Sequence, residues 1–235
     1  MVKIKPHPAT NGNASADRLL TVLTSFRIGD KSLSLAELAE RTELNKATIM
    51  RLIVSLEDFG FVNRLADGRY TLASEVMRLN TIYQEALDLE RHIVPRLHQL
   101  VDEIGESASF YVKHGAYRLC QYRVNSTHSL RVHIQPGEMR PMDEAAAAQA
   151  LRSTFEQFEL KGEPFYSKGA TDPHAASMAV PIFDSMNDVV GALVVSGPAS
   201  RFTLERAKSV SKFFFDIANG LTESLGGSAI ELKEN

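Results

Sequence analysis

From residue 15 onward the apolar positions recur with two distinct periods. Leu19, Leu20, Val22, Leu23 and Phe26 keep helical spacing and predict a first helix starting near Ser15, with Ser15 or Asp17 as its cap. Leu35, Leu38 and Ala39, then Leu44, then Ile49, Leu52, Ile53 and Leu56 keep the same spacing across one short break. That pattern predicts two amphipathic helices joined by a tight turn. Ala39 falls at the helix crossing, where a larger side chain would hold the helices apart, and Leu44 anchors the turn. The turn carries Glu43 where glycine would relieve a positive φ, so either local strain or a turn outside the left-handed region is expected. Residues 61–65 and 69–72 then alternate with period 2 around Asp67-Gly68, which predicts a hairpin with a type I′ turn. Helix, turn, helix and hairpin make a winged helix.

Helical spacing resumes with Val76, Leu79, Ile82, Tyr83 and Ala86 and continues through Leu89, Ile93, Leu97, Leu100 and Ile104 to Gly105. Pro95 removes a backbone donor inside that run, which predicts a kink or two helices meeting near Asp88. Residues 107–113, 117–124 and 129–134 read as an antiparallel meander. Pro136-Gly137 and Pro141 break it before an alanine-rich helix from 143 to about 158. Strands at 177–183 and 189–196, turned by residues 184–188, precede a final helix over 203–225 that turns Leu204, Ala207, Val210, Phe214, Ile217 and Leu221 inward. About five antiparallel strands with helices over one face give an α+β layer fold. The expected organisation is an arm without periodicity at 1–13, a winged helix-turn-helix domain at 14–73, a linker helix at 74–87, a second domain at 88–227 and a loose tail at 228–235.

Composition bounds the function. With 235 residues, 44% hydrophobic and 23% charged, the chain suits two globular domains. It has no apolar run near the ~20 residues of a membrane span and no signal-peptide core at its start, so a cytoplasmic protein is expected. The single cysteine, Cys120, excludes an internal disulfide or a zinc-type cysteine cluster. The net charge of −3 is unevenly spread: residues 1–80 hold 11 Lys/Arg against 9 Asp/Glu, whereas residues 81–235 hold 15 against 20. The basic excess therefore accompanies the helix-turn-helix.

Placing the apolar residues of the second helix inward leaves Lys46, Ala47, Thr48, Met50 and Arg51 outward. Small and polar residues let such a helix enter the roughly 12 Å wide major groove, with cations to meet phosphate or guanine. Arg64 and Arg69 beside the hairpin tip, and Ser34 at the start of the preceding helix, complete the expected contacts to double-stranded DNA. Catalytic readings are weaker. Cys120 lies in one predicted meander with His114, His128 and His133, but its mid-strand position reads as a buried small hydrophobe. His128 and His133 are five residues apart, on opposite faces of a strand, which does not suit a shared metal. The chain has no Gly-rich phosphate loop, no GxSxG and no HExxH. Asp143-Glu144 reads as a helix cap and dipole partner. No catalytic residue, metal ligand or cofactor is expected.

Several segments in this order resemble the IclR family of bacterial transcription regulators. SADRLLTVL is similar to the family's first helix, and LAELAERTELNKATIMRLIVSLEDFGFV to its helix-turn-helix and the start of its wing. STHSLRVHIQPGEMRPM resembles the strand and loop before its ligand-site helix, and AVPIFD with GALVVSGPASRFT resembles its last two strands. The resemblance implies a GAF/profilin-like sensor domain after the linker helix, and a homodimer or dimer of dimers on a palindromic operator, switched by a small-molecule effector. Helix 1 and the linker helix are the expected dimer contacts. Where the family typically reads PLHATALGKALLA, this chain reads PMDEAAAAQALRS, so Asp143, Ala145, Ala148 and Gln149 replace His, Thr, Gly and Lys. Family pocket positions fall on Val132, Ala146, Ala147, Ser177, Val194 and Ser196, beside Met142 and Asp143. Asp143 and Glu144 would occupy the positive helix end. The resemblance thus implies a small, largely apolar or aromatic effector, neutral or with one anionic group held by Arg131 or Arg140. Two alternatives are a constitutive regulator with a closed pocket and an enzyme fused to a DNA-binding domain.

Overall fold

The computed structural model describes residues 13–87 and 89–233, with the side chains of residues 83–87 left out. The arm expected at 1–13, apart from Asn13, the junction at Asp88 and the side chains of Tyr83 and Ala86 lie outside the described residues. The chain divides into two compact units, Met1–Leu87 and Asp88–Asn235.

The first unit contains α1 (Ala14–Leu23), α2 (Leu35–Thr42), α3 (Lys46–Asp58), β1 (Val62–Arg64), β2 (Tyr70–Leu72) and α4 (Ser74–Leu87). Asn13, rather than Ser15 or Asp17, caps α1, its side chain accepting from the Ser15 and Ala16 N–H groups. Val22, Leu38, Ile49, Ile53, Leu56 and Val62 form the core, with Leu19, Leu23 and Leu52 partly buried against it, whereas Leu20 faces solvent. Ser34 and Glu37 form a reciprocal capping box at the start of α2. Glu43 takes the left-handed conformation at φ 60°, so of the two expectations for this turn the strained one holds. Leu33 pairs with Tyr70 through two 2.7 Å backbone bonds, adding a third short strand segment to the wing. The wing turn is not type I′. Only Gly68 has a positive φ, Gly68 N–H bonds Leu65 C=O and Leu65 N–H bonds Arg69 C=O. This is a three-residue loop with a left-handed glycine bulge, because an alanine and an aspartate precede the single glycine.

The second unit is one antiparallel six-stranded sheet in the order β5-β4-β3-β8-β7-β6. Its elements are α5 (Leu89–Ile104), β3 (Ser107–His114), β4 (Tyr117–Val124), β5 (Met139–Pro141), α6 (Ala146–Arg152), α7 (Phe155–Lys161), β6 (Phe165–Lys168), β7 (Ala175–Phe183), β8 (Val189–Pro198) and α8 (Leu204–Ser224). Helix α5 runs on through Pro95. Helices cover both faces rather than one. Leu97, Leu100, Phe214 and Leu221 of α5 and α8 pack on Phe110, Met178, Leu193 and Val195, while α6 lies over Tyr111, Cys120, Ala179 and Val194 on the opposite face.

Four expectations are corrected here. Residues 129–134 are a loop and not a strand: the chain reaches β4 only where Gly137 N–H bonds Cys120 C=O, and β5 follows at residue 139. The helix expected from 143 to about 158 is two short helices, because Thr154 caps α7 with Gln157 and interrupts the run. Leu204 is exposed, as the first residue of α8. The tail is docked: Asn219 exchanges two hydrogen bonds with the Ile230 backbone, Ile230 is buried, and Lys233 N–H bonds Gly162 C=O.

Candidate nucleic-acid interface and ligand cavity

Asn45 starts α3 by accepting from Thr48 N–H at 2.8 Å, and the helix then turns Lys46, Ala47, Met50, Arg51 and Val54 to solvent. Thr48 is half-buried at the edge of that face. The side chains of Lys46, Arg51 and Arg64 make no hydrogen bond or ion pair among the described residues, so their charges are free to meet a polyanion. Arg69 differs. Its Nε and Nη2 donate to Ser32 Oγ and C=O, and Nη2 also reaches Glu37 Oε2 at 2.9 Å, fastening the wing to the start of α2. The Ser34 hydroxyl is likewise engaged with Glu37. The outward face thus combines unpaired cations with small and apolar residues, as a major-groove helix requires. Arg41 braces the same frame by pairing with Asp30, and that contact holds the Asp30 carboxyl below the ordinary range.

In the second unit a cavity opens between α6, the loop carrying Val132 and Ile134, and the sheet. It leaves about 60 Å³ in which the centre of a water molecule fits. Tyr111, Val194 and Ser196 form its floor with Ser177 and Ser167, and Ala145 and Ala147 form one wall. Arg118, with 4% of its side chain exposed, meets Asp143 Oδ1 at 2.8 Å, Thr171 Oγ1 at 3.0 Å and the Pro141 carbonyl. Thr171 Oγ1 in turn donates to Asp143 Oδ2 at 2.6 Å. Burial pushes the Asp143 carboxyl up, but the bonds from Thr171, the Ala145 N–H and Arg118 outweigh it and leave the group below the usual carboxylate range. Arg140 is paired with Glu138 at 2.7 Å. Helix α6 has no side-chain cap of its own; Ala146 N–H donates instead to Ser167 Oγ, 2.9 Å away on β6. Beneath the floor, burial raises the Tyr111 hydroxyl and pushes the Cys120 thiol up to about 11. Among the described residues no group of three His, Cys, Asp or Glu side chains is placed to hold a metal ion.

Residues 15–66 match the model of the IclR helix-turn-helix domain. The HTH-type transcriptional regulator KipR of Bacillus subtilis is 23% identical over 247 residues, spanning 92% of this chain and 98% of its own. The protein is an IclR-family helix-turn-helix transcriptional regulator. Its fold agrees with that of an IclR regulator described as putative from Silicibacter sp. TM1040, at TM-score 0.79 and 23% identity over 94% of this chain and 100% of the other. An IclR homolog from Microbacterium hydrocarbonoxydans, complexed with 4-hydroxybenzoate, superposes at TM-score 0.73 with 15% identity, covering 90% and 100%. IclR-family regulators bind DNA through this helix-turn-helix and are not enzymes. Among the described residues no helix is long and apolar enough to cross a membrane.

Of the positions that the IclR resemblance assigned to a pocket, Val132, Arg140, Ala147, Ser177, Val194 and Ser196 line the cavity. Four do not. Ala146 is fully buried behind the lining, and Met142 packs against the apolar cluster under α6. Arg131 donates to the His128 carbonyl at the surface, and Asp143 is held behind Arg118. Of the two acids expected at the helix end, Asp143 accepts from the N–H of Ala145, the N-cap of α6, whereas Glu144 lies toward Arg152. Tyr111, Arg118, Ile134, Ser167 and Thr171 line the cavity without having been singled out in the sequence. Ser167 belongs to a strand too short to recognise, and Arg118 is brought inward by a strand irregularity.

Proposed function

We propose that this IclR-family protein is a ligand-responsive regulator that reads a palindromic operator as a homodimer or dimer of dimers. In this reading residues 14–73 bind DNA, 74–87 link, and 88–227 hold a small-molecule effector in the cavity described above. The observation that carries the DNA half is the unpaired Lys46 and Arg51 on the solvent face of α3, flanked by Ala47, Thr48 and Met50, with Arg64 at the wing. Ser34 and Arg69 act in it as positioning residues. One such module carries little basic excess, so two copies are needed to reach useful affinity. Leu20 of α1 and Met77, Leu79 and Ile82 of α4 expose apolar side chains, which supports self-association through these helices. The 4-hydroxybenzoate held by a homologue of this fold supports a small effector here.

Footprinting and fluorescence anisotropy on the operator test the reading. Two protected half-sites related by two-fold symmetry are expected. Arg51→Ala should cost about 1–3 kcal/mol and relax specificity at one base position in each half-site. Unchanged affinity in the Lys46→Ala, Arg51→Ala double variant would overturn the assignment of α3, and a monomer protecting a single half-site would overturn the dimer.

A further inference from the structure

The register of the sheet places four serines side by side across four strands. Ser167 of β6 pairs with Ser177 of β7, Ser177 with Ser196 of β8, and Ser196 with Ser107 of β3. Adjacent strands lie about 4.8 Å apart, so the first three form a hydroxyl row about 10 Å long on the cavity floor. Their hydrogen bonds are incompletely used. Ser167 Oγ accepts from Ala146 N–H and lies 3.1 Å from Ser177 Oγ. One of these two hydroxyls donates to the other, and the second keeps its hydrogen. Ser196 is 5% exposed and faces the cavity, and its hydroxyl makes no hydrogen bond among the described residues, so both the donor and the acceptors of that hydroxyl are unspent.

The cations around the row are, by contrast, spent, and Asp172, which also lines the cavity without a cation partner among the described residues, adds a negative charge there. Arg118 is committed to Asp143, and Arg140 to Glu138. Arg123 has no carboxylate partner among the described residues, but its donors go to Ser109, Asn125 and the Val132 carbonyl, and it does not line the cavity. An anion entering here would lose its hydration without gaining an unpaired cation. A molecule that both donates and accepts would meet matching groups on the row, and an apolar edge would meet Val132, Ile134, Val194 and Ala147. We infer that the cavity takes a small uncharged alcohol or polyol, bound along its oxygen-bearing edge by Ser196 and the Ser167–Ser177 pair. This rests on the ligand-responsive reading above and narrows its effector to neutral hydroxyl compounds.

Titration calorimetry on the full chain with two alcohol and acid pairs tests the inference: glycerol against glycerate, and 4-hydroxybenzyl alcohol against 4-hydroxybenzoate. In at least one pair the alcohol should bind about tenfold or more tightly than its acid. Ser196→Ala should weaken that alcohol about fivefold to tenfold while leaving operator affinity of the ligand-free protein unchanged. Asp143→Asn, which frees Arg118, should raise the affinity of the acid partner and narrow the gap. Tighter binding of the acid in both pairs, or full alcohol affinity in Ser196→Ala, overturns the inference. If no probe binds but a protein-free extract of small metabolites still alters operator binding, the ligand class is wrong and the ligand-responsive reading stands. If the extract has no effect either, both fall.

Discussion

Cys120 lies under α6, fully buried, with its thiol pushed up to about 11 by desolvation. At pH 7 it is almost wholly protonated, and the thiolate is the reactive form. Native protein should therefore resist iodoacetamide and react at one site only after unfolding, as followed by intact mass; rapid labelling of the native chain would show the burial to be wrong. Asp143 supplies a pH dependence of opposite origin. Its carboxyl titrates below the ordinary value in the fold, so its contribution is complete above about pH 4, the unfolded value, and is lost as pH falls through the folded one. Melting temperatures of the wild type and Asp143→Asn should differ at pH 6, and the difference should shrink progressively as pH falls below about 4. The sequence made Cys120 legible as a core residue because it sits mid-strand. It did not make Asp143 legible, because the Arg118 and Thr171 that hold it are 25 and 28 residues away.

At the scale of elements, periodicity was sufficient where one face is apolar and the other wet. Helices α2, α3 and α8 fall where the spacing puts them, as do strands β3, β4, β7 and β8. It failed where alternation has another cause. Leu130, Val132 and Ile134 mimic a strand, yet Leu130 is exposed while Ile134 folds down as a plug over α6, so the segment is a lid-like loop with no ladder. Strand β6 has only four residues, too few for a period to register. The tail lacked any signal because its docking depends on Asn219, a polar residue on α8 that matches the backbone of Ile230. Removing residues 228–235 should expose α8 and destabilise the second unit by about 2–4 kcal/mol, from one buried isoleucine and two hydrogen bonds. A denaturant midpoint equal to that of the full chain would contradict the docking.

Across the whole molecule, a modest basic excess in the first 80 residues stands against an acidic remainder. Affinity for DNA should then depend on a few neutralised phosphates in each copy, and its fall with salt should scale with their number. Arg64→Ala, which removes one unpaired cation, should make the slope of log K against log salt shallower by about 0.9, the value for one phosphate left unneutralised, and weaken all sequences alike. Arg69→Ala should leave that slope nearly unchanged, because its guanidinium is already committed to Ser32 and Glu37. Equal slopes for wild type and Arg64→Ala would remove Arg64 from the interface. The solvent face of α3 was legible because it lies on one helix, whereas the cavity gathers β3, β4, β6, β7, β8 and α6, and its foreseen lining, Val132, Arg140, Ala147, Ser177, Val194 and Ser196, came from the family resemblance and not from periodicity.

One irregularity in β4 decides what that cavity contains. Phe110 pairs with Tyr122 but Tyr111 pairs with Cys120, so Gln121 is an extra residue without a partner strand position. Before it in the chain, even-numbered Arg118 and Cys120 look toward α6; after it, even-numbered Tyr122 looks toward α5 and α8. Gln121 works as a frame shift within the strand. A chain shortened by that one residue would keep every other amino acid and still exchange its two faces along half of β4, carrying the Arg118 guanidinium into the larger apolar core and Asp143 out of its ion pair. The composition of the cavity is thus set by a count of residues as much as by their identities.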